Sequence, residues 1–319
     1  MNARTAEIRD TLLLSTAVVF GVLLPPAIAL VGLALAAAGI AGLTYRGRIG
    51  AAVVAILVGA IAVSVMDVVS GIPPVDLVFV VPALAATLGA VLALPRFDYQ
   101  WVGALLVGVL TVAGAAHEYL LMRVMNETPK AIVDQVVNLM STSGSTTATA
   151  AADKQMSALL LQLLPMAYFF TAFLTGIAVI LAIVWAAKRS GRTLTVPRLS
   201  MLDLTPHAVW PFIVALLALA ISNTSIPYAS ILWVVGLNLL LSVRALFALQ
   251  GFGVSAGVLD RTGVGLGVRI LALAALAALD AFTFAISFVG LLDFWINFRR
   301  LPRDGASPQS PSMEMPDRS

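Results

Sequence analysis

The chain has no cysteine and only two histidines in 319 residues. The first absence excludes a disulfide framework, a thiolate nucleophile and a cysteine-ligated metal site, and the second leaves too little imidazole for a histidine-built one. Charge is scarce too: 11% of residues are Asp, Glu, Lys or Arg, against about a quarter in a soluble domain. No G-x-x-x-x-G-K-[ST] stretch occurs, so the chain has no phosphate-binding P-loop of its own. The net charge of +3 is small and falls in short turns. That is a topology signal rather than a nucleic-acid footprint, and we expect no nucleic-acid partner, cofactor or metal.

Apolar residues are what the chain has in quantity, 60% of the total with a mean hydropathy of +1.00. Windows of about 18 or more apolar residues recur along its length, which one soluble core does not need. The expectation is an all-α, polytopic transmembrane bundle of about eight to ten helices. It forms a single domain over residues 1–300, followed by a disordered cytoplasmic tail over 301–319 rich in Pro, Ser and Met.

Arg4 and Arg9 precede the apolar run Thr11 to Leu24 in the manner of a secretory leader, but Glu7 and Asp10 break the basic lead and the apolar character continues to Leu43. The segment therefore reads as a retained membrane helix. From Thr11 to Thr44 it is too long for one crossing, and Pro25-Pro26 interrupts it, so a helical hairpin is expected there, with a single kinked helix as the alternative. Small residues at four-residue spacing (Ala34, Ala38, Gly42; Ala51, Ala55, Gly59) suit close helix packing. Further spans are expected over Gly50–Met66, Leu77–Leu94, Trp101–Met122, Met156–Trp185 and Pro206–Ile221.

Residues 123–155 form an extracytoplasmic insertion. Within it, Ile132, Val133, Val136, Val137 and Met140 share one face of an amphipathic helix over Ala131–Met140, placed on the membrane or on the bundle. The longest apolar run, Ile226 to Leu259, spans roughly 50 Å as a helix, more than the ~30 Å hydrocarbon core. Val264 to Trp295 again exceeds one crossing and carries Asp280 near its midpoint, so a second helical hairpin is expected. With a cytoplasmic N-terminus, Arg46/Arg48, Arg96, Lys188/Arg189/Arg192/Arg198, Arg261/Arg269 and Arg299/Arg300/Arg303 are all expected on the cytoplasmic side, together with the C-terminus.

Two literal motifs carry no chemistry in this setting. Gly253-Val254-Ser255-Ala256-Gly257 fits a nucleophile elbow but lies inside a continuous apolar helix, and Gly251-x-Gly253-x-x-Ala256 has no preceding strand. His117 and His207 stand near helix ends without metal-ligand companions, although His117-Glu118 suits a proton-coupling role. The chain is therefore expected not to be an enzyme.

Ionisable residues inside spans are costly, so they face a cavity or a partner. On that ground the candidate substrate-binding residues are Asn238, Arg244, Gln250 and Asp280, with Asn238 and Gln250 as the core of one polar centre. Arg244 has a second reading, in which it snorkels to the headgroups or makes a structural ion pair. Asp293 is expected to organise the last turn with Asn297 and Arg300.

LFALQGFGVSAGVL (Leu246–Leu259) and GLLDFWINFRR (Gly290–Arg300) resemble the C-terminal signature of the YybS-like family, bacterial polytopic membrane proteins carrying a domain of unknown function. Gly251, Gly290, Asp293, Arg299 and Arg300 carry that likeness. The family is in turn similar to the substrate-binding subunits of energy-coupling-factor transporters. The resemblance implies a multi-pass protein of the bacterial inner membrane that binds or helps transport a small molecule, with an energising partner subunit in the bilayer. A non-enzymatic scaffold or assembly partner is the alternative.

Overall fold

The computed structural model describes residues 3–24, 28–143, 150–194 and 196–301. Pro25-Pro26, most of the linker after Ser143 and the tail beyond Leu301 lie outside the described residues. Eleven α-helices and no strands are formed among those described: α1 (Ala3–Val22), α2 (Ala29–Tyr45), α3 (Ile49–Val69), α4 (Leu77–Ala93), α5 (Tyr99–Met125), α6 (Pro129–Ser143), α7 (Ala150–Arg189), α8 (Val209–Ser222), α9 (Ala229–Arg261), α10 (Leu266–Thr283) and α11 (Ala285–Ile296). Of these, α3, α5, α7, α9 and α10 are long and apolar enough to cross a membrane, while α2, α4, α8 and α11 are shorter apolar helices. Both expected interruptions occur. One separates α1 from α2, and the other falls at Phe284, a turn after Asp280.

The chain divides into two compact units, one of residues 1–196 with 214–242, the other of 197–213 with 243–319. In the first, α2 is the hub, packed on α1, α3, α4 and α7. Its sequence explains this, because Gly32, Ala36, Ala37, Gly39, Ala41 and Gly42 are all buried and leave no side chain to hold neighbours away. A Cβ on Gly32 would fall closer than 3.0 Å to the carbonyl oxygen of Gly21, so α1 and α2 touch backbone to backbone. The seam therefore runs through Gly32 and Ala36, while Ala34 and Ala38 are only half-buried.

Helix α3 shows what surrounds the bundle. Ala52, Ala55, Gly59, Val63 and Asp67 form its buried stripe at helical spacing. The opposite face, Val54, Leu57, Ile61, Val65 and Val68, is exposed yet entirely apolar. A helix in water would carry polar groups there, whereas lipid requires none.

Helix α6 is capped by Thr128, whose hydroxyl accepts from the Ala131 N–H at 3.2 Å, and it begins with Pro129 where no backbone donor is needed. It lies on α7 through Val133 and Val137, both buried, while Val136 and Leu139 face outward. Asp134 fastens the contact by accepting from Ser157 Oγ on α7 at 2.5 Å and pairing with Lys130. The hydrogen bonds from Lys130 and Ser157 hold its carboxyl below the ordinary range.

Candidate functional site

Helix α9 carries three polar side chains from the candidate set, and helical geometry spreads them. At 3.6 residues per turn, Asn238, Arg244 and Gln250 fall about 120° apart around the axis. They have no partner in common among the described residues. The expected pairing of Asn238 with Gln250 in one centre is replaced by three separate arrangements.

Asn238 serves α7. Its Oδ1 accepts from the Met166 N–H at 2.8 Å, and its Nδ2 donates to the Gln162 carbonyl at 2.7 Å and to Val234 at 2.8 Å. Gln162 and Met166 are the groups that an unbroken helix would pair with each other, and Pro165 lies between them. Proline has no N–H for the Leu161 carbonyl and pushes on that turn, and the Asn238 amide bonds the backbone groups on either side of it.

Arg244 serves the junction of α10 and α11. Phe284 joins these helices in the left-handed region (φ 58°), a conformation that costs a bulky residue free energy. The Asp280 carboxylate compensates by capping α11, accepting from the Ser287 N–H and from its hydroxyl, both at 2.8 Å. Arg244 Nη2 in turn donates to the Asp280 carboxylate at 3.1 Å and to its carbonyl oxygen, with the guanidinium carbon 3.8 Å from the centre of the Phe284 ring. The carboxylate is almost wholly buried, whereas a quarter of the Arg244 side chain remains accessible. Arg244 Nε is buried and has no hydrogen-bond partner.

Gln250 is fully buried at the third arrangement. It accepts from the Leu204 N–H at 3.1 Å and donates to both Asp203 and Asp293 at 2.9 Å. Asp293 also accepts from Arg299 Nη2 at 2.8 Å and from the Phe298 N–H at 2.8 Å, which holds the turn after α11. Arg299 lies along α9, donating to the Leu202 carbonyl at 2.6 Å and the Ser200 carbonyl at 3.3 Å. Gly253 makes room for it, since a Cβ there would fall within 3.0 Å of the guanidinium. The apparent nucleophile elbow is thus the bed of an arginine, and Ser255 donates to the Gly251 carbonyl at 3.0 Å within the helix.

Gly251 and Gly290 mark where α9 and α11 meet. A Cβ on Gly251 would fall closer than 3.0 Å to the Ile286 carbonyl oxygen, and one on Gly290 equally close to that of Phe247. Arg300 is exposed at φ 55° beyond the last helix.

Sequence reasoning missed Asp203, because a lone carboxylate in a loop gives no sign that a glutamine 47 residues later will reach it. It also missed that His117 faces the α3–α4 turn, with Nε2 2.7 Å from Asp76 Oδ1, while Asp67 accepts from the Asp76 N–H at 3.2 Å. The acidic turn was visible, but not its closure onto α5. His207 stands exposed in a short turn before α8.

A family model described as "Predicted membrane protein (DUF2232)" matches residues 12–294, which takes in Leu246–Leu259 and the start of Gly290–Arg300. No curated protein and no solved structure matches the chain.

Proposed function

The chain belongs to the predicted membrane protein family DUF2232, and from that starting point we propose that it binds a small molecule as a transport-type, non-enzymatic protein of the bacterial inner membrane. Both termini are cytoplasmic in this reading, which rests on the one-sided distribution of loop arginines and lysines. With no P-loop in the sequence, energy would come from a partner membrane subunit.

The observation that carries the reading is the broken helix α10–α11 held by an arginine and an aspartate. Charged groups at an interruption between apolar helices are costly unless they have work to do, and discontinuous helices present polar ends to substrates in transporters. A quarter of the Arg244 side chain is accessible, so an anionic ligand group would compete with Asp280 for its guanidinium. The test is thermal stabilisation of the detergent-purified chain across a panel of anionic metabolites, compared between wild type and Arg244→Ala. Selective stabilisation that disappears in the variant supports the proposal.

One observation favours a scaffold instead. The Gln250 amide is engaged at both ends inside the protein, as a part that fixes helix positions would be. A scaffold predicts no stabilisation by any metabolite and co-purification of a stable membrane partner.

A further inference from the structure

Tyr45 ends α2 with its side chain buried and its hydroxyl donating to the Val91 carbonyl of α4 at 3.0 Å. Beside it opens a cleft of about 190 Å³, with Thr44, Val91, Leu92 and Pro95 as its walls and two arginines, Arg96 and Arg192, at its edge. Arg192 comes from the turn after α7. Its Nε donates to the Tyr45 carbonyl at 3.3 Å and its guanidinium carbon lies 5.8 Å from the centre of the Tyr45 ring. Arg96 makes one weak bond, from Nη1 to the Leu92 carbonyl at 3.3 Å.

The neighbouring arginines are neutralised, since Arg46 pairs with Asp10 and Arg48 with Glu7. Arg96 and Arg192 pair with no carboxylate among the described residues. Two exposed guanidinium groups are thus brought to one small cleft and left with donors to spare. Planar guanidinium forks match phosphate oxygens, and a pair of them from separate elements forms a clamp. Pockets for whole metabolites run to about 300–1,000 Å³, so this cleft suits a phosphate group with a small substituent.

We propose that this cleft binds a phosphate-bearing anion. Its apolar side continues onto Leu92, an exposed residue of the apolar helix α4, which favours the phosphodiester of an anionic membrane lipid over free phosphate. The cleft lies among the same turns whose arginines assign the cytoplasmic side, where anionic headgroups would attract it. The proposal is independent of the role of Arg244.

The experiment is native mass spectrometry of the full chain released from detergent containing phosphatidylglycerol or phosphatidylcholine, with inorganic phosphate tested separately by thermal shift. Arg96→Gln is the main variant, because Arg96 is exposed and supports nothing else; Arg192→Gln is the second, and Arg46→Gln the control outside the cleft. Wild type and Arg46→Gln should retain phosphatidylglycerol in preference to phosphatidylcholine, with retention about tenfold lower in the cleft variants. A thermal shift by inorganic phosphate that both cleft variants lose, without lipid selectivity, would point to a soluble phosphate as the source. Equal retention and equal shifts in all four forms would overturn the proposal.

Discussion

Asn238 on α9 stands across α7 at Pro165, with its side-chain amide joined to the Met166 N–H at 2.8 Å and the Gln162 carbonyl at 2.7 Å. One side chain thus bonds both a donor and an acceptor of the α7 backbone beside the turn that proline disturbs. Asn238→Ala should cost about 1–3 kcal/mol, since it removes the three hydrogen bonds that the buried amide makes. Pro165→Ala restores an N–H to the Leu161 carbonyl and relaxes this turn of α7, so Asn238→Ala should cost less in that background, by more than about 0.5 kcal/mol. Denaturation of the four forms in detergent measures the coupling, and strict additivity would refute the relationship.

Gly251 and Gly290 allow the backbones of α9 and α11 to touch, and no side chain fits at either position. Gly251→Ala and Gly290→Ala should each lower the midpoint of thermal unfolding by more than any overpacking at a tolerant site, with a cost of about 1–3 kcal/mol. Gly114→Ala is the control, because nothing lies within 4 Å of a Cβ there. It should be neutral or stabilising by up to about 1 kcal/mol.

These contacts show how far the sequence could be read. Hydropathy located the spans because lipid demands long apolar helices with satisfied backbones, and the spacing of Ala34, Ala38 and Gly42 pointed to close packing, although the seam runs through Gly32 and Ala36. Two breaks were legible, the first from length together with Pro25-Pro26 and the second from length with Asp280 near its midpoint, and the second falls at Phe284, a turn after Asp280. Gly251 and Gly290 stood out as parts of a signature, but only packing explains them. The candidate residues of α9 were grouped by polarity, whereas the helical period sets Asn238, Arg244 and Gln250 on three different sides. Asp203 was illegible because its role depends on where a loop folds back, which no local pattern encodes.

Helix α6 should respond to acid. The Asp134 carboxyl is held below its ordinary value of about 4 by Lys130 and Ser157. Its folded pKa is the lower one, so the contribution is fully present above the unfolded value and is lost as pH falls through the folded value. Hydrogen exchange along Pro129–Leu139 should therefore be slow near neutral pH and rise in acid below the ordinary carboxylate range. Asp134→Asn should exchange faster at neutral pH and lose the acid-dependent step.

Asp280 and Arg244 depend on each other. Removing one partner of a buried ion pair costs about 3–5 kcal/mol because the other is stranded, so Asp280→Asn and Arg244→Ala should each destabilise the α10–α11 junction. Asp280→Asn keeps a side chain able to cap Ser287 and should be the milder change. Thermal unfolding of the two variants measures the order.

If the α10–α11 junction recognises a small molecule, Asp280→Asn is the decisive variant, because it frees Arg244 without deleting it. In isothermal titration with the metabolite that best stabilises the wild-type chain, Asp280→Asn should bind that anion at least as tightly as wild type, and Arg244→Ala should not bind it. Unchanged affinity in Arg244→Ala, or no saturable binding of any panel member by any form, would mean that the junction is not a binding site.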